Sequence, residues 1–300
     1  MMMFDDFDAW GEAVSGASLR LACDAVETPA WTLGVLDLDG VVLQVASEGG
    51  GNICYGGNTH AGPILFLPLT HPREHVVNGE PLDDDSLLAI PRGADFSIRV
   101  RRHAHAWCSI AMPEGVELPF GTATGSRRVT APPGTAQALR QRVHEVAAAL
   151  LDQPAGTAAH RSAGLQILKA AAACLAAPPR HRRMLGRPRL DRGAIVRRAM
   201  EALEAGPIVP TAAELARHIG VNDRTLLRTF RERFGVPPKT YLMLRQLHEI
   251  RRVLNSGSPE RATVAEVLTR HGIWEFGRFA GRYYRHFGEL PSQTLSRARA

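Results

Sequence analysis

The pattern that most constrains this chain is one that occurs twice. Val221 to Phe234, VNDRTLLRTFRERF, reads as an arginine-rich helix that Asn222 can cap by accepting a hydrogen bond from a free backbone N–H near its start. Leu226, Phe230 and Phe234 recur at the helical period and share one face, while Arg224, Arg228 and Arg231 point elsewhere. One face is therefore made for burial and another for anions. Glu214 to His218 reads as a shorter helix just before it, joined through Ile219-Gly220-Val221, whose glycine can take a positive φ. Two helices around such a turn form a helix-turn-helix, whose second helix is placed to enter a DNA major groove. The plan returns from Val267 to Gly288, VLTRHGIWEFGRFAGRYYRHFG, with Gly272 at the turn and Phe279, Tyr283 and Phe287 along the second helix. The phrases FGVPPKTY and FGELPSQTL close the two units, and Phe234 and Phe287 stand 53 positions apart, as do Pro238 and Pro291. Two copies of one supersecondary unit imply two copies of one task.

Charge is divided along the same line. Residues 1–120 hold 6 Lys/Arg against 17 Asp/Glu, a net of −11, whereas residues 121–300 hold 30 against 13, a net of +17. A basic half concentrates affinity for a polyanion, and an acidic half is expected to stay off it. No apolar run reaches the roughly 18 to 20 residues that span a bilayer, and Met1 to Trp10 is acidic rather than a leader. The expectation is a cytoplasmic protein that does not engage membranes. Its four scattered cysteines, Cys23, Cys54, Cys108 and Cys174, form no CxxC pair and read as reduced and partly buried.

The first half reads as β structure over 18–112. LGVLDLDGVVLQVAS, Leu33 to Ser47, has two apolar runs around Asp39-Gly40, a hairpin signal. Ile64–Leu69, Ser86–Pro91, Asp95–Val100 and Ala106–Met112 are further short runs separated by turn residues, the pattern of a sandwich or small barrel that can enclose a ligand-sized cavity. His103 and His105 could open a metal site, but Arg101 and Arg102 flank them and no spaced carboxylate follows. Surface or hydrogen-bonded histidines are the reading, with no metal and no cofactor. The period turns helical from Thr135: Ala136–Gln153 and Ala158–Ala177 suit either a helical hairpin or a subunit interface, and a homodimer stays open. Pro178 to Arg189, PPRHRRMLGRPR, reads as a basic linker.

The expected fold is α+β in two domains. Residues 1–177 form a β-rich, sandwich- or barrel-like effector-binding or dimerisation domain with helices at 136–177, and 178–189 the linker. Residues 190–300 form an all-α domain with helix-turn-helix motifs at about 211–234 and 264–287.

ELARHIGVNDRTLLRTFRERFGVPPKTY and VLTRHGIWEFGRFAGRYYRHFGELPSQTL together resemble the AraC/XylS family of transcriptional regulators, over about residues 190–298. Two departures stand out: many members have alanine where Leu268 stands and arginine where Gly281 stands, and here Arg282 is next door. The resemblance implies a seven-helix DNA-binding domain, usually behind a domain that binds an effector or dimerises. It implies a non-enzymatic, effector-responsive activator whose partners are double-stranded promoter DNA, RNA polymerase and a small-molecule effector. The residues expected to meet DNA are Asn222, Arg224, Thr225 and Arg228 in the first motif and Glu275, Arg278 and Arg282 in the second. The competing classes are a metalloenzyme or DNA-modifying enzyme fused to a DNA-binding module, and a constitutive architectural DNA binder.

Overall fold

The Asp39-Gly40 turn behaves as its residue types allow. Both residues take positive φ, 62° and 90°, and they join β3 (Trp31–Asp37) to β4 (Val42–Glu48) in an antiparallel pair with Leu36 opposite Leu43. This hairpin lies in the first of two units, Met1–Arg187 and Pro188–Ala300, into which the computed structural model divides. The structure describes residues 1–101, 103–120, 125–176, 191–206, 208–256 and 263–299. The linker expected at 178–189 lies outside the described residues.

The remaining strands are β1 (Met2–Phe4), β2 (Ala17–Val26), β5 (Gly50–Asn58), β6 (Ile64–Pro68), β7 (Val76–Val77), β8 (Glu80–Pro81), β9 (Ser86–Ile90), β10 (Asp95–Val100), β11 (His105–Ala111) and β12 (Arg127–Thr130). They form a seven-stranded sheet ordered β1-β3-β4-β11-β6-β9-β12 and a five-stranded sheet ordered β2-β5-β10-β7-β8. Among the described residues this is a sandwich of two open sheets rather than a closed barrel. The seven-stranded sheet is covered on both faces, which is why β6 and β9 read as unbroken apolar runs instead of alternating ones. Ile64 and Phe66 face the five-stranded sheet with Trp107, Phe96 and Cys54. Leu65 and Leu67 face the other way, toward the helices. Those helices are α2 (Thr135–Leu150) and α3 (Ala158–Leu175), and Leu139, Val143, Ile167 and Ala171 bury them on the outer face of the sheet. Their apolar stripes are thus spent inside the unit. A short helix α1 (Phe7–Ala13), capped by Asp6, closes one end of the sandwich with Trp10. The cavity between the sheets holds about 640 Å³ of space free of protein atoms, its opening to solvent included.

The second unit is helical: α4 (Arg192–Glu204), α5 (Ala212–His218), α6 (Asp223–Phe234), α7 (Pro238–Asn255), α8 (Val264–Arg270), α9 (Phe276–Phe287) and α10 (Pro291–Ala298). Long α7 runs between the two motifs, and its two ends belong to two small cores. Tyr241 stacks on Phe234 at 4.6 Å and donates its hydroxyl to Met200 Sδ at 3.3 Å. Leu247, Ile250 and Leu254 pack with Val267, Leu268, Phe279 and Tyr283. Among the described residues no helix is long and apolar enough to cross a membrane.

Candidate nucleic-acid interface

Each motif is assembled by the same sequence of local devices. The short first helices, α5 and α8, start on capping boxes: the Thr211 and Thr263 hydroxyls accept from the Glu214 and Glu266 N–H at 3.2 Å, while those carboxylates accept from the threonine N–H at 2.8 and 2.7 Å. Gly220 and Gly272 then turn the chain at φ 68° and 73°. The second helices, α6 and α9, have 12 residues each and stop on Gly235 and Gly288 in the left-handed region. Leu226, Phe230 and Phe234 in α6, and Phe279 and Tyr283 in α9, are buried. With the inner face fixed, the outer face is what solvent meets.

The copies differ by one residue at the turn. Gly220 lies six positions before Leu226, but Gly272 lies seven before Phe279. In the first motif Asn222 caps α6, its Oδ1 accepting from Thr225 N–H at 2.8 Å. In the second the cap position falls to Glu275, which makes no capping bond and instead accepts from Arg278 Nη1 through both carboxylate oxygens, at 2.9 and 2.8 Å. The inserted residue pushes Trp274 outward, where it is 73% exposed, next to half-open Phe276. Past the turn, positions 53 apart correspond, so Arg224 and Arg228 of α6 are matched by Gly277 and Gly281 in α9, and Thr225 and Thr229 by Arg278 and Arg282. The second helix is bare where the first is most basic.

Of the residues singled out from sequence, Arg224, Arg228, Glu275 and Arg278 are exposed, whereas Thr225 and Arg282 are partly buried. Asn222 is exposed as well, with its oxygen committed to the cap. Arg228 donates from Nε to Glu232 Oε1 at 3.0 Å, and Glu232 also pairs with Arg192 of α4. Exposed pairs of this kind contribute about 0 to 1 kcal/mol, so a phosphate or a base edge can displace them. Sequence reading gave no role to Trp274 or Gly277 and took Gly281 only as a departure from the family pattern. Setting the copies against each other by their turn glycines as well as their aromatics would have exposed the extra residue.

Residues 215–297 match a family model described as a helix-turn-helix domain. The chain is 35% identical over 122 residues to the probable thc operon regulatory protein of Rhodococcus erythropolis, covering 40% of this chain and 37% of that protein. It is 36% identical over 110 residues to the XylDLEGF operon transcriptional activator of Pseudomonas putida, covering 37% of this chain and 33% of that one. The C-terminal unit is an AraC/XylS-type DNA-binding domain. The solved structure of a probable AraC family transcriptional regulator from Rhodopseudomonas palustris CGA009 is 30% identical, with a TM-score of 0.32, over 36% of this chain and 99% of that one. The chain spans about a third of the length of these curated relatives. In AraC/XylS terms, the seven helices implied by the resemblance are α4 to α10.

Proposed function

We propose that the protein is a sequence-specific transcriptional regulator of the cytoplasm, an effector-responsive activator that reads two adjacent major-groove segments with α6 and α9. The single observation that carries this is the pairing of two equal helices, each with a buried aromatic face, a positive-φ glycine before it, and arginines on the open face. Two such helices joined through α7 suit major-groove segments about 10 base pairs apart on one side of a duplex. The relatives' names, an operon regulator and an operon activator, support activation and with it contact to RNA polymerase. The cavity in the N-terminal unit supports an effector.

Arg224, Arg228 and Arg278 are the base readers in this proposal, with Asn222, Thr225, Glu275 and Arg282 positioning them or touching the backbone of the DNA. Binding of the full chain to a randomised duplex library, repeated at several salt concentrations, tests it. Arg224→Ala and Arg228→Ala should each relax preference within one segment by about 1 to 3 kcal/mol, and Arg278→Ala within the other. Uniformly weaker binding with an unchanged sequence preference and a shallower salt slope would make these arginines phosphate anchors. No salt-sensitive binding to any duplex would remove the function altogether.

A further inference from the structure

The cavity of the N-terminal unit is apolar along most of its wall, through Trp10, Phe66, Ile90, Phe96 and Trp107, and its polar lining is Ser15, Glu48, Asn52, His105 and Ser109. Glu48 and Asn52 belong to opposite sheets, Glu48 closing β4 and Asn52 lying near the start of β5. Both line the cavity because the chain crosses between the sheets in three glycines, four residues from one to the other. A Cβ on Gly49 would fall 1.8 Å from the Thr28 carbonyl oxygen, and one on Gly50 would fall 1.9 Å from that of Ala25. Only glycine fits so tight a crossing, and the crossing brings a carboxylate and a carboxamide to one wall.

Both side chains are out of water, with Glu48 3% and Asn52 7% exposed. Glu48 Oε1 accepts from Trp107 Nε1 at 2.7 Å and lies 3.5 Å from His105 Nε2. Glu48 Oε2 and Asn52 Oδ1 have no hydrogen-bond partner among the described residues. Two buried acceptors without donors are a standing cost that native interiors rarely leave in place. A partner that removes it must bring at least two N–H or O–H groups and an apolar body. A hydroxyl offers one donor and a carboxylate none, whereas an ammonium group offers three. Water can donate twice but fills none of the apolar remainder.

We propose that this cavity binds a small apolar amine, its amino group seated between Glu48 and Asn52 and its hydrocarbon body among the aromatic rings. That the amine is the effector rests on the regulator reading above; that it binds does not. The test is calorimetric titration of the full chain with three ligands of one carbon skeleton: 2-phenylethylamine, 2-phenylethanol and phenylacetate. The amine should bind at least tenfold more tightly than the alcohol, and phenylacetate should not bind measurably. Glu48→Gln, which turns an N–H donor toward the cavity, should abolish the preference for the amine, and Asn52→Leu should weaken amine binding about tenfold. If Glu48→Gln does not fold, the wild-type series and Asn52→Leu still decide. Equal affinities, a preference for the alcohol or the acid, or no binding by any of the three would overturn the proposal. Gel shifts on the same preparation keep the two readings apart: DNA binding without amine binding removes only this inference, and amine binding without DNA binding removes only its regulatory meaning.

Discussion

Gly281 sits in the middle of α9, where helices seldom place glycine, and replacing it separates two physical effects that usually travel together. A Cβ built at this position meets nothing within 4 Å except the flexible end of Arg285, whose Nη1 lies at 3.9 Å. Gly281→Ala therefore introduces no steric cost in the free protein. It removes the backbone entropy penalty of glycine in a helix interior, worth about 0.8 to 1 kcal/mol. In a helical unit of this size that should raise the midpoint of thermal unfolding by about 4 °C or more. If the bare face of α9 lies against the floor of a groove, the added methyl group also overpacks that contact, at about 1 to 3 kcal/mol. Affinity for the selected duplex should then fall about tenfold, since 1.4 kcal/mol is a factor of ten. Differential scanning calorimetry and fluorescence anisotropy on one preparation read the two signs. A more stable protein with unchanged DNA affinity would refute close approach at Gly281, and a less stable one would refute the reading of an unobstructed helix interior.

Glu289 offers a second perturbation: it accepts from Thr294 Oγ1 at 2.9 Å and pairs with Arg251 and Arg297. Burial pushes its carboxyl upward, but the hydrogen bonds from Arg297 and Thr294 and the two arginine charges outweigh this and hold it below the usual range. A depressed folded value means that its contribution is present above the unfolded value, about 4.3, and is lost as pH falls through the lower, folded value. Glu289→Gln should cost about 1.5 to 3 kcal/mol in neutral urea denaturation, with the gap to wild type closing in acid; a gap independent of pH would sink this assignment. The thiols of Cys23, Cys54, Cys108 and Cys174 are buried, and burial raises all four, Cys23 and Cys108 to about 12. A chromogenic disulfide reagent should label none in the folded protein and four in urea, whereas rapid labelling of the native chain would contradict their placement.

Most of this architecture can be read where the signal is local. Asp39-Gly40 specifies its hairpin because both residues tolerate positive φ, and the capping residues Asn222 and Asp191 mark their helices within a turn. What escaped is set by partners far along the chain. β1 is three residues long and has no pattern of its own; it exists because Met2 to Phe4 pair with Trp31 to Leu33. β12, whose sequence is Arg-Arg-Val-Thr, becomes a strand by lying against β9. The seat of α2 and α3 is the outer face of a sheet that is apolar on both sides, a partner their own sequences do not announce. In the DNA-binding unit the arginines are evident, but the carboxylate partners of Arg228 and Arg278, Glu232 and Glu275, are set by the folded helices. The polar wall of the cavity depends on a crossing between sheets, and glycines alone do not announce which side chains they bring together.

The one-residue difference between the two turns gives the protein a front and a back. α6 follows a capping asparagine and carries arginines where α9, preceded by an exposed tryptophan, carries glycines. If both helices read bases as proposed, two unlike readers in fixed chain order cannot favour a palindrome from a single molecule. On the proposed reading, the sequence they select would have a direction, and inverting it in front of a gene should leave the protein bound but facing the other way.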